Sequence, residues 1–293
     1  MTAALSLEHL ERRFGGLKAI DDVSLTVAPG EVVAVVGPNG AGKSTLIQMV
    51  TGFVRPNAGR ITFMGRDITR AAPESIAALG VARTFQTSRI FPTLSIMESV
   101  MMGTQPDLLG LRGRARAPGA VLKELASVAL RLRAYRRKRE ALEAKAEAVL
   151  KLFGERLWPN KDNPAFSLSY ANRRRLEIAR TLIADPKVLL LDEPTAGMNP
   201  TETAELTDLI ADLHERRPEL AVVLVEHKLD VVRRLAGRVM VLNQGSVIVE
   251  ETPEEALSDP LVIEAYLGSG ATPEAARDLP PSPGRADASA SHG

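Results

Sequence analysis

The chain has 293 residues, room for one large domain or two modest ones, and 45% of them are hydrophobic, enough for a real core. A net charge of +1 creates no global field for nucleic acid, so no nucleic-acid partner is expected. The absence of cysteine rules out disulfides and thiolate metal sites and suits a reducing cytoplasm.

The start of the chain is polar by Glu8 and Arg12, which speaks against a signal peptide. Residues 5–36 read as three short strands, Leu5–Leu10, Val23–Val27 and Val32–Val36, with Pro29-Gly30 as a turn between the last two. Ile61–Met64 and Val81–Phe85 read as further strands. The character then turns helical: Leu94–Met102, a Gly/Pro/Arg-rich connector at 103–119, and a long helix over Val121–Phe153 rich in Ala, Leu, Glu, Lys and Arg. Residues 168–184 are again helical, stopped by Pro186. Val188–Leu191 and Ala221–Val225 read as buried strands bounded by helices. Val239–Leu242 and Ser246–Val249 form a hairpin around Asn243-Gln244-Gly245, and a helix over Pro253–Leu267 closes the fold. The tail, 269–293, is Ala, Pro, Ser, Gly and Asp, a composition that predicts disorder. The longest apolar runs are strand-length, far short of a membrane span, so any work at a membrane requires another polypeptide to cross it.

Three of the strands end in chemistry. Val32–Val36 runs into Gly37-Pro38-Asn39-Gly40-Ala41-Gly42-Lys43-Ser44-Thr45, which fits the phosphate-binding pattern G-x-x-x-x-G-K-[ST]. A strand that feeds a flexible turn and a helix N-terminus presents backbone N–H groups to an anion. Lys43 is expected to reach the β- and γ-phosphates and the Ser44 hydroxyl to hold Mg²⁺. Val188–Leu191 ends in Asp192-Glu193: Asp192 suits Mg²⁺, and Glu193, one residue on, suits the polarisation of a water aimed at the γ-phosphate. Ala221–Val225 ends in Glu226-His227, which makes His227 an expected γ-phosphate contact. All three strand ends are expected on one edge of a parallel sheet.

With these motifs in that order, residues 5 to about 268 resemble the ATP-binding subunits of ABC transporters. The resemblance implies an α/β fold, a P-loop NTPase core of ABC type (1–90 and 176–252) with an antiparallel β subdomain, a helical subdomain at about 91–175 and a C-terminal helix at 253–268. It assigns further roles. Phe14, in Arg13-Phe14-Gly15-Gly16, matches the aromatic that stacks on adenine. Gln86, in Arg83-Thr84-Phe85-Gln86, matches the loop that senses γ-phosphate and Mg²⁺ and touches the membrane subunit. Leu168-Ser169-Tyr170-Ala171-Asn172 stands where the family places its signature, Leu-Ser-Gly-Gly-Gln, so Ser169 and Ala171 are expected to face ATP held by a second subunit. Ala196-Gly197-Met198-Asn199-Pro200 matches the loop after the catalytic glutamate. The implied ligands are ATP and Mg²⁺. The implied partners are integral membrane permeases and a second cassette, identical or paralogous, and the implied location is the cytoplasmic face of the membrane.

Within that family, Arg83-Thr84-Phe85-Gln86, Arg174-Arg175-Leu176-Glu177-Ile178-Ala179-Arg180 and Glu264-Ala265-Tyr266-Leu267-Gly268 are similar to importers of branched-chain amino acids. Carriers of urea or short amides and a lipopolysaccharide-export ATPase share parts of this pattern. Ala171 in place of glycine predicts a methyl that crowds the phosphate, and with Asn172 in place of glutamine it keeps open a weakly hydrolysing regulatory module. Asn199 replaces the usual aspartate. Arg131, Arg133, Arg136, Arg137, Lys138 and Arg139 read as a solvated helix face balanced by Glu140, Glu143 and Glu147, with anionic lipid contact as the alternative.

Overall fold

The computed structural model describes residues 2–84, 91, 93–104 and 121–268, with side chains omitted for 121–135, 267 and 268. Gln86, most of the 103–119 connector and the 269–293 tail lie outside the described residues.

Strands β1 (Leu5–Phe14) and β2 (Leu17–Val27) form one long hairpin. Gly15-Gly16 is its two-residue loop, and Gly15 adopts the positive φ (58°) that such a loop needs. The sequence reading caught only the apolar halves of this pair. The remainder is polar because one face meets solvent, while Leu5, Leu7, Leu10, Ile20, Val23, Leu25 and Val27 are buried on the other. The register shifts between Leu7 and Leu10, and His9 and Asp22, both at positive φ, break the alternation there.

β3 (Val32–Val36) leads to α1 (Lys43–Val50), followed by β4 (Ala58–Phe63), β5 (Arg66–Asp67), α2 (Pro73–Leu79) and β6 (Val81–Arg83). Then come α3 (Ile96–Met101), α4 (Val121–Leu152), α5 (Gly154–Leu157) and α6 (Tyr170–Leu182). The chain continues through β7 (Val188–Asp192), α7 (Pro200–Arg216), β8 (Ala221–Val225), α8 (Leu229–Leu235), β9 (Arg238–Asn243), β10 (Ser246–Glu251), α9 (Pro253–Ser258) and α10 (Pro260–Gly268). The single helix expected at 253–267 is two: Pro260 has no N–H to continue α9, and the Asp259 side chain instead accepts from the Leu261 N–H.

The described residues fall into two compact units that divide at 86/87 and 186/187. The helical unit therefore keeps all of α6, and the chain returns to the core at Lys187, later than the expected 176. The first unit holds both sheets. One is antiparallel, in the order β2-β1-β4-β5; the other has six strands in the order β10-β9-β3-β8-β7-β6. β9, β3, β8, β7 and β6 run parallel, and β10 turns back antiparallel on β9. β3, β7 and β8 are buried along their whole length, which is why they read as unbroken apolar runs. They are neighbours, so their C-terminal ends lie along one sheet edge, as the sequence led one to expect.

In the helical unit, α3 packs on α4 and α6, with Ile96, Val100, Ala146, Leu150, Leu176 and Ala179 buried. Ser95 and Glu98 cap α3 reciprocally. On α4, Arg139–Glu143 (2.8 Å) and Lys151–Glu147 (2.9 Å) pair one turn apart on an exposed face.

Candidate active site

The turn after β3 begins with Gly37, at φ 144°, where a Cβ would stand 2.1 Å from the Leu242 carbonyl oxygen on β9. Only glycine fits there. The Gly37 N–H donates to the hydroxyl of Tyr266, 2.9 Å away on α10. Burial pushes that phenol up to about 12, so it stays protonated. The loop ends at Gly42, the N-cap of α1, which has no side-chain cap and no acidic residue in its first turn. Those N–H groups are left to an incoming anion.

Lys43 is 6% exposed. Its ammonium donates to the carbonyls of Gly37 (2.7 Å) and Pro38 (2.9 Å), the loop's own backbone. Burial lowers its pKa to about 8, and the charges of Glu193 and Asp192 oppose the shift. The cation is thus held by weak neutral acceptors that a phosphate would outcompete.

β7 carries Asp192 to its end and places Glu193 in the turn beyond. Glu193 has φ 48°, a left-handed conformation that costs roughly 1–2 kcal/mol for a side chain with a Cβ. Its N–H still donates to the Val225 carbonyl on β8 (2.8 Å). Its Oε1 lies 3.0 Å from His227 Nε2, beyond the end of β8. Glu226 fastens the two strand ends together. Its buried carboxylate accepts from the Thr195 N–H (2.9 Å), the Thr195 hydroxyl (2.7 Å) and the His227 N–H (3.0 Å). The sequence reading assigned no role to Glu226, although a charged residue closing an all-apolar strand was the signal.

Phe14 ends β1 beside the Gly15-Gly16 loop and is 44% exposed. The Arg12 guanidinium covers one face of its ring at 4.4 Å and donates to the Arg55 carbonyl. Phe14, Lys18, Asn39, Gly40, Ala41, Gly42, Lys43, Ser44, Thr45, Glu193, His227 and Gln244 line one cavity of about 740 Å³. Gly37 and Pro38 stand behind it as the acceptors for Lys43.

Asp192 is 1% exposed and pairs through Oδ2 with Arg83 (2.8 Å), while its Oδ1 is buried with no partner among the described residues. An orphaned carboxylate oxygen fits a cation ligand. Among the described residues no group of three His, Cys, Asp or Glu side chains is placed to hold a metal ion. A divalent ion held by Asp192 and Ser44 would therefore take most of its coordination from phosphate and water, as Mg²⁺ does.

Ser169 and Ala171 belong to the helical unit. Ser169 caps α6, its hydroxyl accepting from the Asn172 N–H (3.3 Å). Ala171 is 2% exposed. Its methyl is therefore covered within the chain. Asn172 accepts from Arg175 (2.9 Å). Asn199 caps α7 by accepting from the Glu202 N–H (2.9 Å), a task its amide oxygen performs as well as an aspartate would.

A phosphate-sized loop beside a carboxylate–imidazole pair on adjoining parallel strands defines a P-loop nucleotide hydrolase. Comparison with known proteins narrows the class. The family described as "ABC transporter" matches residues 20–196, and "Branched-chain amino acid ATP-binding cassette transporter" matches 247–272. The high-affinity branched-chain amino acid transport ATP-binding protein LivG of Salmonella typhimurium is 38% identical over 264 residues, 90% of this chain and 97% of that protein. BraF of Pseudomonas aeruginosa, of the same description, is 37% identical over 267 residues, 90% and 97% of the two chains. Among solved structures, a nucleotide-free ATP-binding cassette from an ABC transporter superposes with TM-score 0.71 at 30% identity, covering 90% of this chain and 98% of that one. An ATP-binding cassette of an ABC transporter in its ADP conformation gives TM-score 0.73 at 30% identity, covering 92% and 100%. The chain belongs to the ABC transporter family and carries that family's ATPase.

Proposed function

We propose that this chain is the ATP-hydrolysing subunit of an importer for branched-chain amino acids, working at the cytoplasmic face of the membrane on separate permease subunits. The observation that carries the catalytic part is the 3.0 Å contact between Glu193 and His227 at the rim of the cavity that also holds Lys43. The substrate class draws support from the relatives' descriptions and from the matched C-terminal segment, 247–272.

The chemistry is phosphoryl transfer to water, carried by positioning and charge neutralisation. Phe14 offers the ring face opposite Arg12 to adenine. The loop N–H groups from Gly37 to Thr45 cradle phosphate oxygens, and Lys43 exchanges its two backbone carbonyls for them. Asp192, Ser44 and Gln86 are the residues that would hold Mg²⁺, which when bound neutralises charge between the outer phosphates. Glu193 orients the attacking water, and His227 fixes Glu193 and contacts the γ-phosphate. Ser169 and the N-terminus of α6 complete the site of a second cassette, identical or paralogous. Permease contact falls to Gln86 and to the helical unit, whose cleft of about 890 Å³ is lined by Met97, Met101, Leu142 and Glu143 among others. No described helix is long and apolar enough to cross a membrane, which agrees with a division of labour between subunits.

The test is transport by proteoliposomes in which this chain is reconstituted with the permease subunits and binding protein of a branched-chain amino acid importer. The expected result is leucine uptake that requires ATP on this subunit's side. Uptake of urea without leucine, or outward movement of lipopolysaccharide, would overturn the substrate assignment.

A further inference from the structure

We propose that Arg83 is a positioning residue for the divalent cation: it clamps one oxygen of Asp192 so that the other is left for the metal. The inference rests on the reading of Asp192 as the metal carboxylate and goes beyond it. The signal is geometric. Asp192 is a buried carboxylate, and a lone buried charge is costly unless a cation and hydrogen bonds satisfy it. Arg83, 10% exposed at the end of β6, supplies the cation at 2.8 Å from Oδ2. The clamp is unsymmetrical, because Oδ1 keeps no partner among the described residues.

The neighbouring backbone holds the same geometry. Arg83 lies opposite Leu190 in the parallel register of β6 and β7. The next residue, Thr84, donates its N–H to the Leu190 carbonyl (3.0 Å) and accepts from the Asp192 N–H through its hydroxyl (3.2 Å). Arg83-Thr84 therefore fixes both the main chain and the side chain of Asp192. A guanidinium has no acceptor and cannot itself bind a metal. It can only orient the carboxylate and keep one oxygen occupied. Outer-shell partners of this kind hold ligand geometry, and their loss typically weakens metal binding by about 10–100-fold.

The test uses the full chain with ADP and Mn²⁺ as a spectroscopic stand-in for Mg²⁺. Free Mn²⁺ is followed by electron paramagnetic resonance during titration of the ADP complex, and ADP binding in EDTA is measured separately. Arg83→Met should weaken Mn²⁺ by about 10–100-fold and leave metal-free ADP affinity within about twofold. Arg83→Lys keeps the charge without the planar fork and should fall between parent and Met variant; it carries the test if the Met variant does not fold. Asp192→Asn separates the two levels. If it weakens Mn²⁺ while both Arg83 variants bind as the parent does, or more tightly, the positioning role is wrong and the metal carboxylate stands. If Asp192→Asn leaves Mn²⁺ affinity unchanged, the underlying assignment of Asp192 fails and this inference falls with it.

Discussion

Lys43 shows how the loop is organised around its own lysine. Its ammonium is desolvated and, among the described residues, donates to the Gly37 and Pro38 carbonyls, and its pKa is about 8 instead of 10.5. Phosphate oxygens beside it favour the charged form and raise the pKa again. The sign follows. Below pH 7 the lysine is protonated before and after binding, and no proton moves. Between about pH 8 and the ordinary lysine value, the free protein has lost part of this proton and the complex regains it, so nucleotide binding takes up protons and affinity falls by up to about tenfold per pH unit. Calorimetry at pH 8.5–9 in buffers of different ionisation enthalpy should read this uptake, and Lys43→Arg, charged throughout, should abolish it. Buffer-independent heats at pH 9 would mean that Lys43 is charged in the free protein. Lys43, Ser44, Asp192, Glu193 and His227, the chemical residues legible from the motifs themselves, share one property: each lies in a contiguous motif just at or after the end of an apolar strand. The partners that brace them could not be read so. Glu226 meets Thr195 31 positions away, Arg83 meets Asp192 at 109 and Tyr266 meets Gly37 at 229. Only the register of β6, β7 and β8 and the docking of α10 bring these pairs together.

Among the elements, α6 lies where the sequence placed a helix, and the burial within its first turn is what the sequence did not show. The sequence led one to expect that the Ala171 methyl crowds the phosphate of ATP held by a second subunit. Ala171 is buried, while Tyr170 lies exposed and its hydroxyl accepts from Arg174 (3.2 Å). Arg174 and Glu177 form a buried pair at 3.1 Å below it. In this buried position Ala171 contributes helix propensity and apolar burial. Ala171→Gly should lower the stability of the chain by about 1 kcal/mol, the ordinary alanine-to-glycine difference in a helix, and should not raise turnover. Thermal denaturation and steady-state ATPase rates of the variant check both. A several-fold gain in kcat at unchanged stability would restore the crowding argument. The strands that were fully apolar, β3, β7 and β8, were legible because both their faces are covered. The outer half of the first hairpin was not, because its solvent-facing residues dilute the pattern. The break between α9 and α10 was visible in principle at Asp259-Pro260, where a proline interrupts an otherwise helical run.

At the scale of the whole molecule, the cavity of the first unit presents donors and cations to a nucleotide from one side: the loop N–H groups, Lys43 and the face of Phe14. Glu193 is the exception, a carboxylate on the same cavity wall. On the function proposed above, its charge would stand near the γ-phosphate of bound ATP, and that repulsion would weaken the closure of a second cassette over the nucleotide. Glu193→Gln keeps the side-chain shape and the hydrogen-bonding reach to His227 but removes the charge. Two consequences are tied together. Hydrolysis should fall by roughly 10²–10⁴-fold, the usual contribution of a general base. The ATP-bound variant should also accumulate as a dimer, because both the repulsion and the step that reopens the pair are gone. Light scattering behind a sizing column, with and without Mg²⁺-ATP, measures the second, and phosphate release measures the first. A variant that stays monomeric with ATP bound would separate catalysis from closure and place the closing energy elsewhere than the nucleotide. One that hydrolyses at the parent rate would remove Glu193 from the reaction.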